Sequence, residues 1–159
     1  MNALRTSAVL LGLIGSSLIS IPASASSVPD IEERVLADQC SVSIERPHWS
    51  SGAPGVIFKA RTVCRVTADV ALYRALYRCV SNPGGGDPRN GNCDIAASEP
   101  SQSRRHEPNQ VQTWYCPSAD KPGVSGRGYY VGLVTARAED GTRETFWTAA
   151  LDHTQGRLG

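Results

Sequence analysis

Val56-Ile57-Phe58-Lys59-Ala60-Arg61-Thr62-Val63-Cys64-Arg65-Val66 decides the fold class. Val56, Phe58, Ala60, Thr62, Cys64 and Val66 fall on one side of an extended chain, with Lys59, Arg61 and Arg65 on the other. Successive side chains of a strand point to opposite faces, so this period of two marks a strand with one buried and one wet face. The alternation also precedes it, with Cys40, Val42 and Ile44 set against Ser41, Ser43 and Glu45. Pro47, Ser50, Ser51, Gly52, Pro54 and Gly55 supply the turn between the two runs.

Downstream, Ala71-Leu72-Tyr73-Arg74 is repeated at once as Ala75-Leu76-Tyr77-Arg78. A period of four suits a helix capped by Thr67 or Asp69, with Leu72, Leu76, Cys79 and Val80 as its stripe. It equally suits a strand with Ala71, Tyr73, Ala75, Tyr77 and Cys79 on one face, and the sheet-like flanks favour the strand. Residues 82–92 are too rich in Gly, Pro and Asn for regular structure, and a second polar loop is expected over 98–109. Tyr129 to Ala138 and Thr142 to Leu151 then read as a hairpin joined by Asp140-Gly141. Short strands with turn-rich connections predict an all-β fold, an antiparallel immunoglobulin-like sandwich over residues 39–152. Residues 26–38 read as a flexible lead-in and 153–159 as a loose tail.

The first 25 residues carry an address. Arg5 gives a short positive start, Ala8 to Ile14 opens an apolar run that fades near Ile21, and Ala23-Ser24-Ala25 forms a small-x-small cleavage pattern. Gly15, Ser16 and Ser17 interrupt the run, which falls short of the ~20 apolar residues of a spanning helix. A secreted protein beginning at Ser26 is expected, with no membrane span. Losing Arg5 leaves 15 basic against 15 acidic residues, and this balance disfavours a nucleic-acid partner or a polybasic membrane footprint.

All five cysteines, Cys40, Cys64, Cys79, Cys93 and Cys116, follow that segment, and in an oxidising compartment they read as staples. Their spacing lacks the close ligand pairs of a zinc site, and five thiols leave fifteen ways to form two bridges. Cys40 and Cys64 are equidistant from the Ser51-Gly52 turn, so a bridge across that hairpin is one alternative. His48, His106 and His153 each lie in polar surroundings and read as solvated surface residues. Gly123-Val124-Ser125-Gly126 misses the spacing of a hydrolase nucleophile elbow. Asp87 to Asp94 gathers oxygen ligands but places Arg89 among them, so a plain turn outweighs calcium. No catalytic residue, metal site or cofactor is implied. Trp147 is expected in the core, and Trp49, set among turn residues, is the candidate contact residue.

The order Val63-Cys64, Leu72-Tyr73-Arg74, two intermediate cysteines and Cys116 ahead of Tyr129-Tyr130 resembles small secreted cystine-linked β-sandwich proteins of actinobacteria, over about residues 56–138. The resemblance implies bridges Cys64–Cys116 and Cys79–Cys93. It leaves Cys40 as a buried thiol, or as one that links a dimer. A fainter resemblance is to the streptomycete subtilisin-inhibitor proteins, through the Cys79 to Cys93 Pro/Gly loop and Cys116-Pro117. It implies a scissile bond between Ser118 and Ala119, although no later cysteine braces that loop. The function expected is a non-enzymatic extracellular or cell-envelope binding module whose partner is a protein or cell surface. A protease inhibitor, or a small hydrolase with scattered residues, is the alternative.

Overall fold

The computed structural model describes residues 31–37 and 39–155, so the expected signal peptide lies outside the described residues. The chain runs through β1 (Ile31–Leu36), β2 (Cys40–Glu45), β3 (His48–Ser50), β4 (Gly55–Cys64), β5 (Ala68–Cys79), β6 (Cys93–His106), β7 (Gln112–Cys116), β8 (Tyr129–Ala138), β9 (Arg143–Trp147) and β10 (Leu151–Asp152). The fold is all-β, and every pairing among the described strands is antiparallel.

One sheet has the order β1-β2-β4-β3, with β7 also on β4; the other has the order β10-β8-β5-β6, with β9 also on β8. The register explains the branching. Ile44 pairs with Ala60 and His48 with Ile57, so β2 and β3 are one arm of a long hairpin interrupted at Arg46-Pro47. Proline cannot donate to a ladder, and a break at that point follows. The two sheets share one core, in which Val42, Ile44, Phe58 and Ala60 of the first meet Val70, Leu72, Leu76, Val134 and Ala136 of the second. The inward residues of β4 through Cys64 are those the alternation selects, while Val66 lies past the strand end and is exposed. Phe58 lies against Gly132 of β8, where an added Cβ would come 2.9 Å from the ring.

The doubtful segment around 69–80 is strand, with Ala71, Tyr73, Ala75, Tyr77 and Cys79 on the outer face as the strand reading requires. Ala75, Tyr77 and Leu133 are nonetheless buried, forming a second small cluster with Tyr73, Cys93 and Trp147. The Gly/Pro loop of residues 82–92 accounts for this. It contains a buried Pro88 in a single 3-10 turn, and Gly85 O accepts the indole N–H of Trp147 at 2.9 Å. Trp147 therefore packs outside the inter-sheet core rather than within it.

Several expectations are corrected. Residues 31–36 are not a lead-in, because β1 pairs with β2 over its full length. The expected loop at 98–109 is largely strand, since β6 runs unbroken to His106 beside β5. Its polarity reflects an edge strand whose residues 100–105 are exposed on both faces, not a turn. The tail is tied down at His153, whose N–H bonds to Gly128 O at 2.9 Å and whose ring stacks on Trp49.

The bridges are Cys40–Cys64 and Cys79–Cys93, and Cys116 is a buried free thiol. Cys64–Cys116 is excluded by register. Cys116 stands opposite Phe58 on β4, six residues from Cys64 along the same strand, which is roughly 20 Å at strand rise. Cys40 faces Cys64 directly, so it is neither free nor available to link a dimer. Two intramolecular disulfides, with no described helix long and apolar enough to cross a membrane, are consistent with an extracellular protein.

Candidate functional site

The flank where β1 of one sheet faces β9 of the other holds a groove of about 560 Å³. The inner face of β1 contributes Glu32 and Arg34, and β9 contributes Phe146 and Trp147. Gly84 and Gly85 of the docked loop form one rim, and Ala149-Ala150 closes the end. Period two puts Glu32, Arg34 and buried Leu36 on the same side, so two charged side chains are directed to the groove, beside Phe146 and Trp147. Arg34 lies 3.9 Å from Glu32, and its guanidinium sits 5.9 Å from the Phe146 ring centre. Arg46 is fixed at the groove end, where its Nε and Nη2 donate to Ala150 O at 2.9 and 2.6 Å.

The hydroxyls in this groove are already engaged. Thr148 Oγ1 accepts from Gly132 N at 3.0 Å, and Thr145 Oγ1 bonds to Thr135 Oγ1 at 2.9 Å. Neither is held against a base, which a nucleophile requires. The arrangement offers shape, aromatic surface and one exposed ion pair.

A second polar constellation is interior. Trp114 is fully buried, and its Nε1–H donates to Thr62 Oγ1 at 2.9 Å. Thr62 Oγ1 is in turn bonded to His106 Nε2. His106 Nδ1 faces Arg104 O at 3.1 Å, and a carbonyl can only accept, so Nδ1 carries the proton and Nε2 accepts from the threonine. His106 is thus a core residue, not a surface one. Burial lowers its pKa, and the nearby Arg104 charge acts in the same direction. Guanidiniums flank the indole, Arg104 at 3.9 Å and the buried Arg74 at 5.1 Å from its ring. Arg74 Nη2 donates to Gln102 Oε1 at 3.2 Å.

Next to this cluster, the carboxylate of buried Glu99 accepts from Ser118 N at 2.8 Å and from Lys121 Nζ at 2.9 Å. Burial works to raise its pKa, but the Lys121 and Ser118 hydrogen bonds outweigh it and hold the carboxyl below its ordinary value. Lys121 N also bonds to Ser118 O at 2.9 Å, so the residues following Cys116-Pro117 form a closed turn.

The other residues singled out in the sequence are dispersed. Trp49 is half-buried, packed on the core and stacked 5.3 Å from His153, with its indole nitrogen turned inward. This packing leaves it a poor contact residue. Gly123 is explained by its backbone, because an added Cβ would lie 2.6 Å from Gly55, where Val56 and Val124 form a bridge. Asp87 spends both carboxylate oxygens on Arg89. No three His, Cys, Asp or Glu side chains converge on a metal position among the described residues. The groove itself is not legible in the sequence, because it gathers Glu32 and Arg34 of β1, Gly84 and Gly85 of the docked loop and Phe146 and Trp147 of β9 from three distant parts of the chain. No family model, curated protein or solved structure matches this chain.

Proposed function

We propose that this is a secreted, non-enzymatic sandwich of the immunoglobulin-like kind that works by contact, binding an extracellular or cell-envelope partner in the groove between β1 and β9. The observation that carries the reading is the make-up of that groove, which combines Trp147, the Glu32–Arg34 pair and hydroxyls committed to the fold. Surfaces that combine aromatic area with a few placed charges suit recognition. The sandwich reading draws on the excursion from β4 through the β5–β6 hairpin of the other sheet and back to β7 beside β4, a Greek-key step. The pairing of β8 with both β5 and β9 supports the same reading, since strands C, F and G of an immunoglobulin domain share one sheet in that way.

The test is capture from the native cell surface with the oxidised protein and two variants. Trp147→Ala removes the aromatic wall, and Ala149→Arg fills the groove from a position outside both core clusters. Loss of the captured partner by both variants is the expected result, and equal capture by all three proteins overturns the reading. Titration of a subtilisin-like protease completes the test, since stoichiometric inhibition would replace the reading with that of an inhibitor.

A further inference from the structure

Among the described residues, β1 is hydrogen-bonded only to β2, so one of its edges presents unpaired backbone groups. Its outer face carries Ile31, Glu33 and Val35, with Ile31 52% and Val35 68% exposed. Two of the six large exposed hydrophobic residues among those described thus sit on one six-residue edge strand. Charges on an edge usually discourage pairing with another chain. On β1 the charges are arranged so that a second copy of the same strand satisfies them.

We propose that the β1 edge is a self-association surface, on which a second copy of this chain pairs its own β1 antiparallel about a twofold axis through Glu33. Side chains directly opposite in an antiparallel pair share a face, so only registers that keep odd residues opposite odd ones are allowed. Centred on Glu33, Ile31 meets the partner's Val35, and Val35 meets the partner's Ile31, covering the apolar pair on the outer face. On the inner face Glu32 meets the partner's Arg34, and Arg34 meets the partner's Glu32. Within one chain, among the described residues, these groups make weak contacts: the 3.9 Å ion pair, a 3.3 Å bond from Arg34 to Glu33 O, and the 5.9 Å approach of Arg34 to the Phe146 ring. Glu33 opposite the partner's Glu33 is the single mismatch, and it sits on the axis. The resulting sheet continues from one copy into the other, and the two grooves face each other across the axis. The inference goes beyond the groove reading, since it requires no ligand and uses the edge and outer face of β1 together with Glu32 and Arg34, which it shares with the groove.

The test is sedimentation equilibrium of the oxidised protein as processed by the cell that makes it, with no partner added. A reversible monomer–dimer equilibrium is expected. Arg34→Glu turns two attractive pairs into two repulsive ones and should weaken the dimer on the order of tenfold or more. Adding Glu32→Arg to Arg34→Glu restores opposite charges in this register alone and should bring the dimer back. Val35→Lys should weaken it, and Glu33→Gln should tighten it by removing the mismatch. A strictly monomeric protein overturns the proposal, as does a double variant no better than Arg34→Glu. Trp147→Ala leaves the edge intact, so loss of partner capture with the dimer retained separates the two readings.

Discussion

Cys40 and Cys64 face each other at the open end of the β2–β4 hairpin, and their disulfide joins the first residue of β2 to the last of β4. Both sulfurs belong to the main core cluster, so the bridge closes a loop and packs against its neighbours. Its ends are 24 residues apart, and restriction of the unfolded chain contributes about 3.5 kcal/mol on the chain-entropy argument. The Cys79–Cys93 bridge, with a separation of 14, contributes about 3 kcal/mol on the same basis. Core packing lost with the first bridge adds to the difference. A Cys40→Ala, Cys64→Ala protein should therefore unfold at lower denaturant than a Cys79→Ala, Cys93→Ala protein. Equal or reversed midpoints would contradict this ranking.

The second bridge has its own signature. It anchors the loop that covers Ala75, Tyr77 and Leu133 and that bonds to Trp147 through Gly85. Opening it should release that loop locally before the sheets separate. The Cys79→Ala, Cys93→Ala protein should show red-shifted tryptophan emission under native conditions, and an unchanged spectrum would mean the loop stays docked without its anchor.

Cys116 is the buried odd thiol. Burial, reinforced by the negative charge of Glu99, pushes its pKa up to about 12. Only the thiolate attacks a disulfide reagent, so the native protein at pH 8 should react slowly with Ellman's reagent. In denaturant, one thiol per chain should appear at once. Rapid native reaction, or three thiols on unfolding, would show that Cys116 is accessible or that a bridge is missing.

The strands most legible in the sequence are those with one face in the core. β2 and β4 repeat apolar side chains every second residue, because each covers half of a shared interior, and the β8–β9 hairpin is marked by its Asp140-Gly141 turn. β1 and β6 lack that pattern because they are edge strands: Ile31 and Val35 of β1 lie on its exposed face, and residues 101–105 of β6 are polar and exposed on both faces. The cysteine pairing was legible only through register. Cys40 and Cys64 stand symmetrically about their turn, and this local relationship, not the order of cysteines along the chain, sets the bridge. His106 and Glu99 could not be found by pattern, because their burial depends on Thr62, Trp114 and Ser118, all distant in sequence. The groove demanded tertiary knowledge of a different kind, namely which strand edges lie on the same flank.

Gly132 tests how closely the sheets approach. A methyl group at this position would sit 2.9 Å from Phe58, well inside van der Waals contact. Gly132→Ala should destabilise the fold by about 1–3 kcal/mol, the usual range for overpacking. Phe58→Leu removes part of the opposing ring, so combining the two should cost less than the sum of the single changes. Strict additivity, with Gly132→Ala itself near neutral, would place the sheets farther apart.

The Trp114–Thr62–His106–Arg104 series makes stability depend on pH through a buried imidazole. The hydrogen bonds run in one direction, from indole to threonine, threonine to Nε2, and Nδ1 to the Arg104 carbonyl. Protonating Nε2 places a second donor against the threonine hydroxyl and breaks that order. Burial keeps the folded pKa below the ordinary 6.5, against the opposing pull of the hydrogen bond to the Arg104 carbonyl. Between that lowered value and 6.5 the unfolded chain binds the extra proton and the folded chain does not. His106 therefore contributes stability that is fully present above pH 6.5 and is lost as pH falls through the folded value. Glu99, whose carboxyl is held below its ordinary 4.5, loses its contribution only as pH falls below that value, whereas the loss from His106 begins at 6.5. The urea midpoint should fall between pH 7.5 and pH 5, and His106→Gln should flatten that slope. At neutral pH His106→Ala should cost about 1–3 kcal/mol, because the Thr62 hydroxyl then loses a buried partner. A His106→Gln protein with the parental slope would show that the imidazole is not the titrating group.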